Sequence, residues 1–407
     1  MRLPRGFHVL IAAQFCSALA DNALLIVAIA LLTTLQMPGW WAPLLKFSFT
    51  IAYVVLAPVV GALADRGPKA RLMMAMNALK VVGVLLLLWP VHPVLALGIV
   101  GIGAAAYAPA KYGLVTELVG ARQLVAANGW IEVTTVCAAL LGTVLGGLLV
   151  SPALARWASA VWPGMEPVSV ALMLLLAVYG LAAVLNLGIP DSGARYPRSS
   201  IHPLALLRHF QRAQRRLWHD AEGGLSMAVT TLFWGAAAVL QFAVLRWAID
   251  VLGLTLDRAA YLQGVVAVGI VAGAALAGRM VALARATRVL PLGIAMGLLV
   301  PAVTLVDGWM AAVPLLVLVG ALGGALVVPL NALLQHRGHQ LLTAGRSIAV
   351  QNFNENASVL VMLGVYAALL AVDVDIRRLI AGLGLLVALA VAALCLHERR
   401  RLRVATA

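Results

Sequence analysis

The chain has 407 residues, 63% hydrophobic and 11% charged, with a formal net charge of +14. A mean hydropathy of +1.01 excludes a soluble globular domain, in which about a quarter of residues are charged, and leaves a polytopic membrane protein. Cys16, Cys137 and Cys395 all fall inside apolar runs and read as small buried hydrophobes, with neither disulfide nor metal spacing.

Apolar runs bounded by charge, Pro and Gly predict twelve spanning helices. The first, at about 8–35, is too long for a signal-peptide core and lacks a small-residue cleavage site, so it stays as a helix. Within it Gln14, Ser17 and Asp21 are three and four residues apart and share one face. An acid near the middle of a spanning helix costs about 2.5–3.5 kcal/mol on insertion scales. That face is therefore expected to look into protein or water. Two readings stay open for Asp21: an internal bond that locks the first helix to a neighbour, or a place on a transport path. The other runs lie at about 43–64, 71–90, 93–118, 123–150, 168–189, 223–250, 259–280, 288–307, 309–335, 345–371 and 376–396. Trp40, Trp41, Trp89, Trp157, Trp162, Trp247 and Trp309 fall near the odd-to-even turns, as one interfacial belt would require.

Lys and Arg set the orientation. The N-terminus, the even-to-odd connections and the C-terminus carry 22 of them, counting Lys111 with the connection it approaches; the opposite connections carry 4. Lys46, Lys80 and Arg246 lie within helices. This bias predicts two cytoplasmic termini and accounts for the positive charge without nucleic acid. A long connection, 190–222, separates a six-helix bundle at 1–189 from a second at 223–407. Within it Pro203–Trp218 sets Leu207, Phe210, Leu217 and Trp218 against Arg208, Arg212, Arg215 and Arg216, a basic amphipathic segment expected to lie on the cytoplasmic leaflet or to dock a partner. The halves also echo each other. Gly61–Arg66 matches Ala274–Arg279, Pro109-Ala-Lys111 matches Pro329-Leu-Asn331, and Asn128 matches Asn352, at offsets of 213, 220 and 224. Parallel repeats give such a pattern.

Twelve helices, a six-plus-six repeat and a long central loop resemble the major facilitator superfamily of secondary transporters. Gly61-Ala-Leu-Ala-Asp65-Arg66-Gly67-Pro68-Lys69-Ala-Arg71 is similar to the superfamily's helix 2–3 signature. The resemblance implies a cytoplasmic gate of Asp65, Arg66, Lys69 and Arg71, with Asp65 at a helix N-terminus or against Arg66 and Arg71. Further stretches resemble the superfamily's bacterial lysophospholipid-transporting branch: Ser17–Leu25, Ala57–Gly61, Tyr107–Gly113, Ala127–Glu132, Val328–Gln335 and Ala349–Asn356. That branch implies a monomer of the bacterial inner membrane, without cofactor, moving lysophospholipids from the outer to the inner leaflet. A cytoplasmic acyltransferase/acyl carrier protein synthetase would then re-acylate them.

By the same resemblance helices 1, 4, 7 and 10 line the cavity, so Asp21, Asn22, Lys111, Gln241 and Asn331 are candidate substrate contacts. Asn128 and Glu132 in helix 5, continued by Thr135, and Asn354 and Glu355 in helix 11, with Gln351 and Ser358, add two polar stripes. Lys111 suits a phosphate, as a point cation with three donors, and Asp21 suits an amine or glycerol hydroxyls. Alternatively Lys111 and Asp21 pair with each other or with Glu117, and Glu132 and Glu355 serve as locks between helices. The branch would have an Arg where this chain has Gln241; the nearest base, Arg246, points about 140° away and is better placed for Asp250 one turn on. Gly142-x3-Gly146 and Gly269-x3-Gly273 would let helices pack closely or slide.

Two other functions share the bulk features. A facilitator-type antiporter of drugs or other amphiphiles differs only in the stretches of helices 1, 4, 5 and 11. A membrane-bound acyltransferase would need a His with an Asp five positions on, or a Gly-x-Ser-x-Gly elbow, and the chain has neither.

Overall fold

A chain this apolar must close its backbone hydrogen bonds within each segment, and among the described residues it forms fifteen α-helices and two short 3-10 turns. The computed structural model describes residues 3–38, 41–89, 91–197, 202–306 and 308–406, so Trp40 of the aromatic belt and residues 198–201 of the long connection lie outside it. The helices are α1 (Arg5–Thr34), α2 (Trp41–Val55), α3 (Ala57–Ala64), α4 (Lys69–Leu87), α5 (Pro93–Leu118), α6 (Leu124–Leu149), α7 (Pro152–Val161) and α8 (Pro167–Leu187). They continue as α9 (Pro203–His219), α10 (Ala221–Asp250), α11 (Leu256–Met280), α12 (Leu290–Val303), α13 (Trp309–Leu341), α14 (Ala344–Ala371) and α15 (Ile376–Thr406). Counting α12 with the 3-10 turn Leu283–Val289 before it, eleven are long and apolar enough to cross a membrane, twelve if α2 and α3 count as one bent span.

The run read at about 43–64 is broken in the structure. The two pieces meet at 65° across Leu56. Pro58 explains the break: it has no N–H to donate backwards and its ring crowds the carbonyl four residues earlier. In the first turn of α3 the same residue costs nothing, since that N–H has no intrahelical partner anyway. Two further helices lie outside the spans. α7 was not foreseen; Ser151 caps it by accepting from the Leu154 N–H at 3.3 Å. α9 is the amphipathic segment of the long connection, but its inner face is occupied by protein. Leu206 and Ala213 are buried, and Phe210 meets Phe353 edge-on at 5.3 Å. The cysteines are half-buried rather than buried.

The chain divides into two compact units. One takes in 1–120, 137–214 and 338–353; the other takes in 121–136, 215–337 and 354–407. In the first, α1 packs on α8, and α4 on both α5 and α8. Its apolar core includes Leu24, Val27, Leu45, Val84, Leu97, Leu172 and Leu175. In the second, α12 and α10 pack on α15, and α11 lies against α13 at close range. A Cβ on Gly269, Gly273, Gly320 or Gly324 would strike the facing helix's backbone, so the Gly269-x3-Gly273 pair is a close-packed seam. Leu95, Leu148, Leu187, Met280 and Leu389 remain exposed along the spans, as lipid-facing side chains do.

Candidate functional site

The face shared by Gln14, Ser17 and Asp21 looks into protein. Gln14 and Ser17 are buried, and α1 lies close enough to α4 and α8 for Asp21 to reach both. Lys80 of α4 places its Nζ 2.7 and 2.9 Å from the two Asp21 carboxylate oxygens and donates to Ser17 Oγ at 3.0 Å. Tyr179 of α8 donates its phenol proton to Asp21 Oδ1 at 2.7 Å, and Ser17 donates to Asn77 Oδ1 at 2.8 Å. The ammonium also lies 5.3 and 5.8 Å from the ring centres of Tyr107 and Tyr179, within cation–π range. Side-chain exposure is 2% for Lys80 and 16% for Asp21, so the ion pair is nearly dry with one edge open on the acid. Among the described residues Asn77 Nδ2 and Tyr107 Oη are buried here without a hydrogen-bond partner, which leaves the cluster able to take one more polar group.

Lys80 is the residue the sequence reading passed over. The sequence shows it as a base inside a helix, and the rule that singles out Asp21 applies to it with equal force. It takes the place on Asp21 that the sequence reading offers to Lys111. Asp21 is held by Lys80. Lys111 lies 3.4 Å from Gln14 Oε1 and 4.1 Å from the centre of the Tyr112 ring. Asn22 turns its amide back to the Ala18 carbonyl at 2.8 Å, where α6 comes closest. A Cβ on Gly142 would sit 2.5 Å from the Leu19 carbonyl oxygen and 2.9 Å from Asn22 Cβ.

A second polar group forms at the Asp65 end of the same unit. Asp65 follows α3 and sits at the N-terminus of α14, accepting from the Gly345 N–H at 2.9 Å and from Thr343 Oγ1 at 2.5 Å. The cation beside it is Lys69 at 3.7 Å; Arg66 and Arg71 are exposed. Burial pushes the Asp65 carboxyl up from its ordinary range, against the opposing pull of the Thr343 and Gly345 hydrogen bonds and of Lys69. Lys69 in turn meets Glu117 of α5 at 2.6 Å, and Glu117 accepts from Ser192 at 2.5 Å and Tyr196 at 2.9 Å. Gly61 permits the approach: a Cβ there would stand 2.9 Å from Arg346 Cα and Ala349 Cβ.

The other unit carries the remaining candidates. Asn128 and Gln335 exchange both amide hydrogen bonds at 2.9 Å. Glu132 and Asn331, one turn from each, are buried, as is Glu355. Asn354 accepts from Trp218 Nε1 at 3.3 Å. The Gln241 side chain is exposed and its carbonyl accepts from Gln263, while Arg246 pairs with Asp250 at 3.0 Å as the helix geometry requires. Gly278 of α11 packs against α6: a Cβ on Gly129 would lie 3.1 Å from Gly278 Cα. Asp220 caps α10 through the Gly223 N–H and binds Arg337 at 2.6 Å; those Arg337 hydrogen bonds hold its carboxyl below the ordinary range.

Residues 10–362 match the family model of the Major Facilitator Superfamily. The lysophospholipid transporter LplT of Escherichia coli O1:K1 is 42% identical over 398 residues, 97% of this chain and 96% of that protein. The LplT of Shigella flexneri matches to the same extent. Among solved structures the fold is similar to the facilitator FucP in its outward conformation, with a TM-score of 0.74 at 16% identity over 97% of this chain and 98% of that one. It is equally similar to a bacterial homologue of the iron transporter ferroportin, at 0.74 and 13% identity over 98% of this chain and 100% of that one.

Proposed function

This chain belongs to the major facilitator superfamily and, within it, to the LplT family of lysophospholipid transporters, and on that premise we propose that it moves lysophospholipids across the bacterial inner membrane. It is a multi-pass membrane transporter and not an enzyme. The direction in this reading is outer to inner leaflet, delivering the substrate to a cytoplasmic acyltransferase, with both termini cytoplasmic. One observation carries the proposal: kinship to lysophospholipid transporters runs nearly end to end.

Physical chemistry constrains how such a substrate crosses. A sixteen-carbon chain gains about 0.8 kcal/mol per methylene in lipid, roughly 12 kcal/mol in all. Drawing it into water would stall the carrier. The head group therefore enters a polar cavity by alternating access while the tail stays in an apolar lateral slot. In the first unit Asp21 and Asn22 meet the amine or glycerol hydroxyls and Lys111 the phosphate; in the second, Asn128, Glu132, Gln241, Asn331, Asn354 and Glu355 supply further polar contacts. Lys80 positions Asp21 for this role, through the 2.7 Å ion pair. Asp65 and Lys69, with Arg66 and Arg71 beside them, form the cytoplasmic gate, which closes while Asp65 holds the N-terminus of α14.

The test is reconstitution in liposomes, following inward movement of labelled lysophosphatidylethanolamine beside a panel of cationic amphiphiles, with and without ion gradients. The reading expects protein-dependent movement of the lysophospholipid. Movement of the cationic amphiphiles alone would replace it with the antiporter.

A further inference from the structure

Helix α9 has three faces where an ordinary amphipathic helix has two. At about 100° per residue, Leu206, Phe210, Ala213 and Leu217 share one side. That side is filled by protein: Leu206, Phe210 and Ala213 line a small pocket with Gly61 of α3 and Ala349 of α14, and Leu206 and Ala213 are only 7% and 4% exposed. Next around the helix come Leu207, Trp218 and Leu204, at 44%, 37% and 59% exposure; Leu207 and Leu204 lie outside that packing, and the Trp218 indole N–H donates to Asn354 Oδ1. Beyond this apolar strip lie Arg215, Arg208, Arg212 and Arg216, all exposed. The single residue Asp220 joins α9 to the spanning helix α10, which keeps its C-terminal end beside the first turn of that span.

We propose that the two outward faces of α9 bind anionic phospholipid head groups of the adjoining leaflet. Leu204, Leu207 and Trp218 enter the interface, and Arg208, Arg212, Arg215 and Arg216 meet phosphate oxygens, for which the guanidinium fork has matching geometry. The charge complementarity selects the occupant. A neutral partner would leave four cations unmet, and an acidic soluble protein would leave the apolar strip no hydrocarbon to enter. This assignment needs only that the chain spans a membrane and does not rest on which substrate it carries.

The test uses the full chain with Cys16, Cys137 and Cys395 replaced by Ser and an environment-sensitive fluorophore on Gln211→Cys, an exposed position within the strip, between Trp218 and Leu204 around the helix. It is placed in nanodiscs of phosphatidylcholine, or of phosphatidylcholine with one third phosphatidylglycerol. The expected result is a blue shift, with quenching by brominated acyl chains, in the anionic discs only. Replacing Arg208, Arg212, Arg215 and Arg216 together by Gln should raise the half-saturating phosphatidylglycerol fraction on the order of tenfold or abolish the response. Replacing Arg279, Arg285 and Arg288, exposed on another connection, should leave it intact. Equal emission in both discs, equal loss in both variants, or a shift produced only by adding an acidic soluble protein would each overturn the proposal.

Discussion

Replacing Lys80 with Met should be among the most damaging single changes in the first unit, and the reason is what it leaves behind. The ammonium provides Asp21 with contacts at 2.7 and 2.9 Å, and its own side chain is 2% exposed. Met fills similar volume but supplies no charge, so Asp21 keeps only the Tyr179 hydroxyl at 2.7 Å. Breaking a buried pair by removing one partner costs about 3–5 kcal/mol, whereas removing both partners is often close to neutral. The double variant K80M/D21N should therefore recover most of the loss. Thermal unfolding in detergent, read by tryptophan emission, measures both. Wild-type melting for K80M would refute the reasoning, and so would a double variant no more stable than K80M. Transport separates packing from function: a double variant that regains stability without regaining transport shows that the ion pair serves transport beyond holding the helices together.

Three other perturbations follow from the geometry. Gly142→Ala puts a methyl 2.5 Å from the Leu19 carbonyl oxygen and should cost about 1–3 kcal/mol, while Gly147→Ala, with nothing within 4 Å, should be neutral or mildly stabilising in the same assay. Asn128→Ala strands the Gln335 amide and should cost about 1–3 kcal/mol, with N128L/Q335L less damaging than the single change when both are scored by detergent melting. Asp220 is held by Arg337 below its ordinary value of 3.8, so the stability it lends is full above that pH and is lost as pH falls through the lower folded value. Acid unfolding of D220N should lack this component, and an acid transition identical to wild type would dismiss it.

Much of the chain can be read from its sequence because a membrane leaves few options. The span at 93–118 coincides with α5, Pro203–Trp218 is a helix, and Arg246 meets Asp250 where the 3.6-residue turn puts it. Asp65 at a helix N-terminus was one of two readings, and the structure selects it over Arg66 and Arg71. Pairing across helices was less legible. Several bases could have met Asp21, and only the rotation of α4 against α1 and α8 selects Lys80 over Lys111. Gln335 was legible as a polar residue in an apolar run, but its match to Asn128 is 207 residues away and no periodicity encodes it. The break at Leu56 was visible as Pro58, whose effect depends on whether neighbouring helices tolerate a bend.

The most direct measurement follows a fluorescent lysophosphatidylethanolamine added to the outside of proteoliposomes, beside a single-chain amphiphile of equal tail length without the glycerophosphate head. The account expects the lysophospholipid to become protected from an external quencher at a protein-dependent rate, the headless amphiphile to show no protein-dependent gain, and Lys111→Ala to slow the former at least tenfold. Equal protein-dependent rates for both amphiphiles, or an unchanged rate in Lys111→Ala, would contradict it.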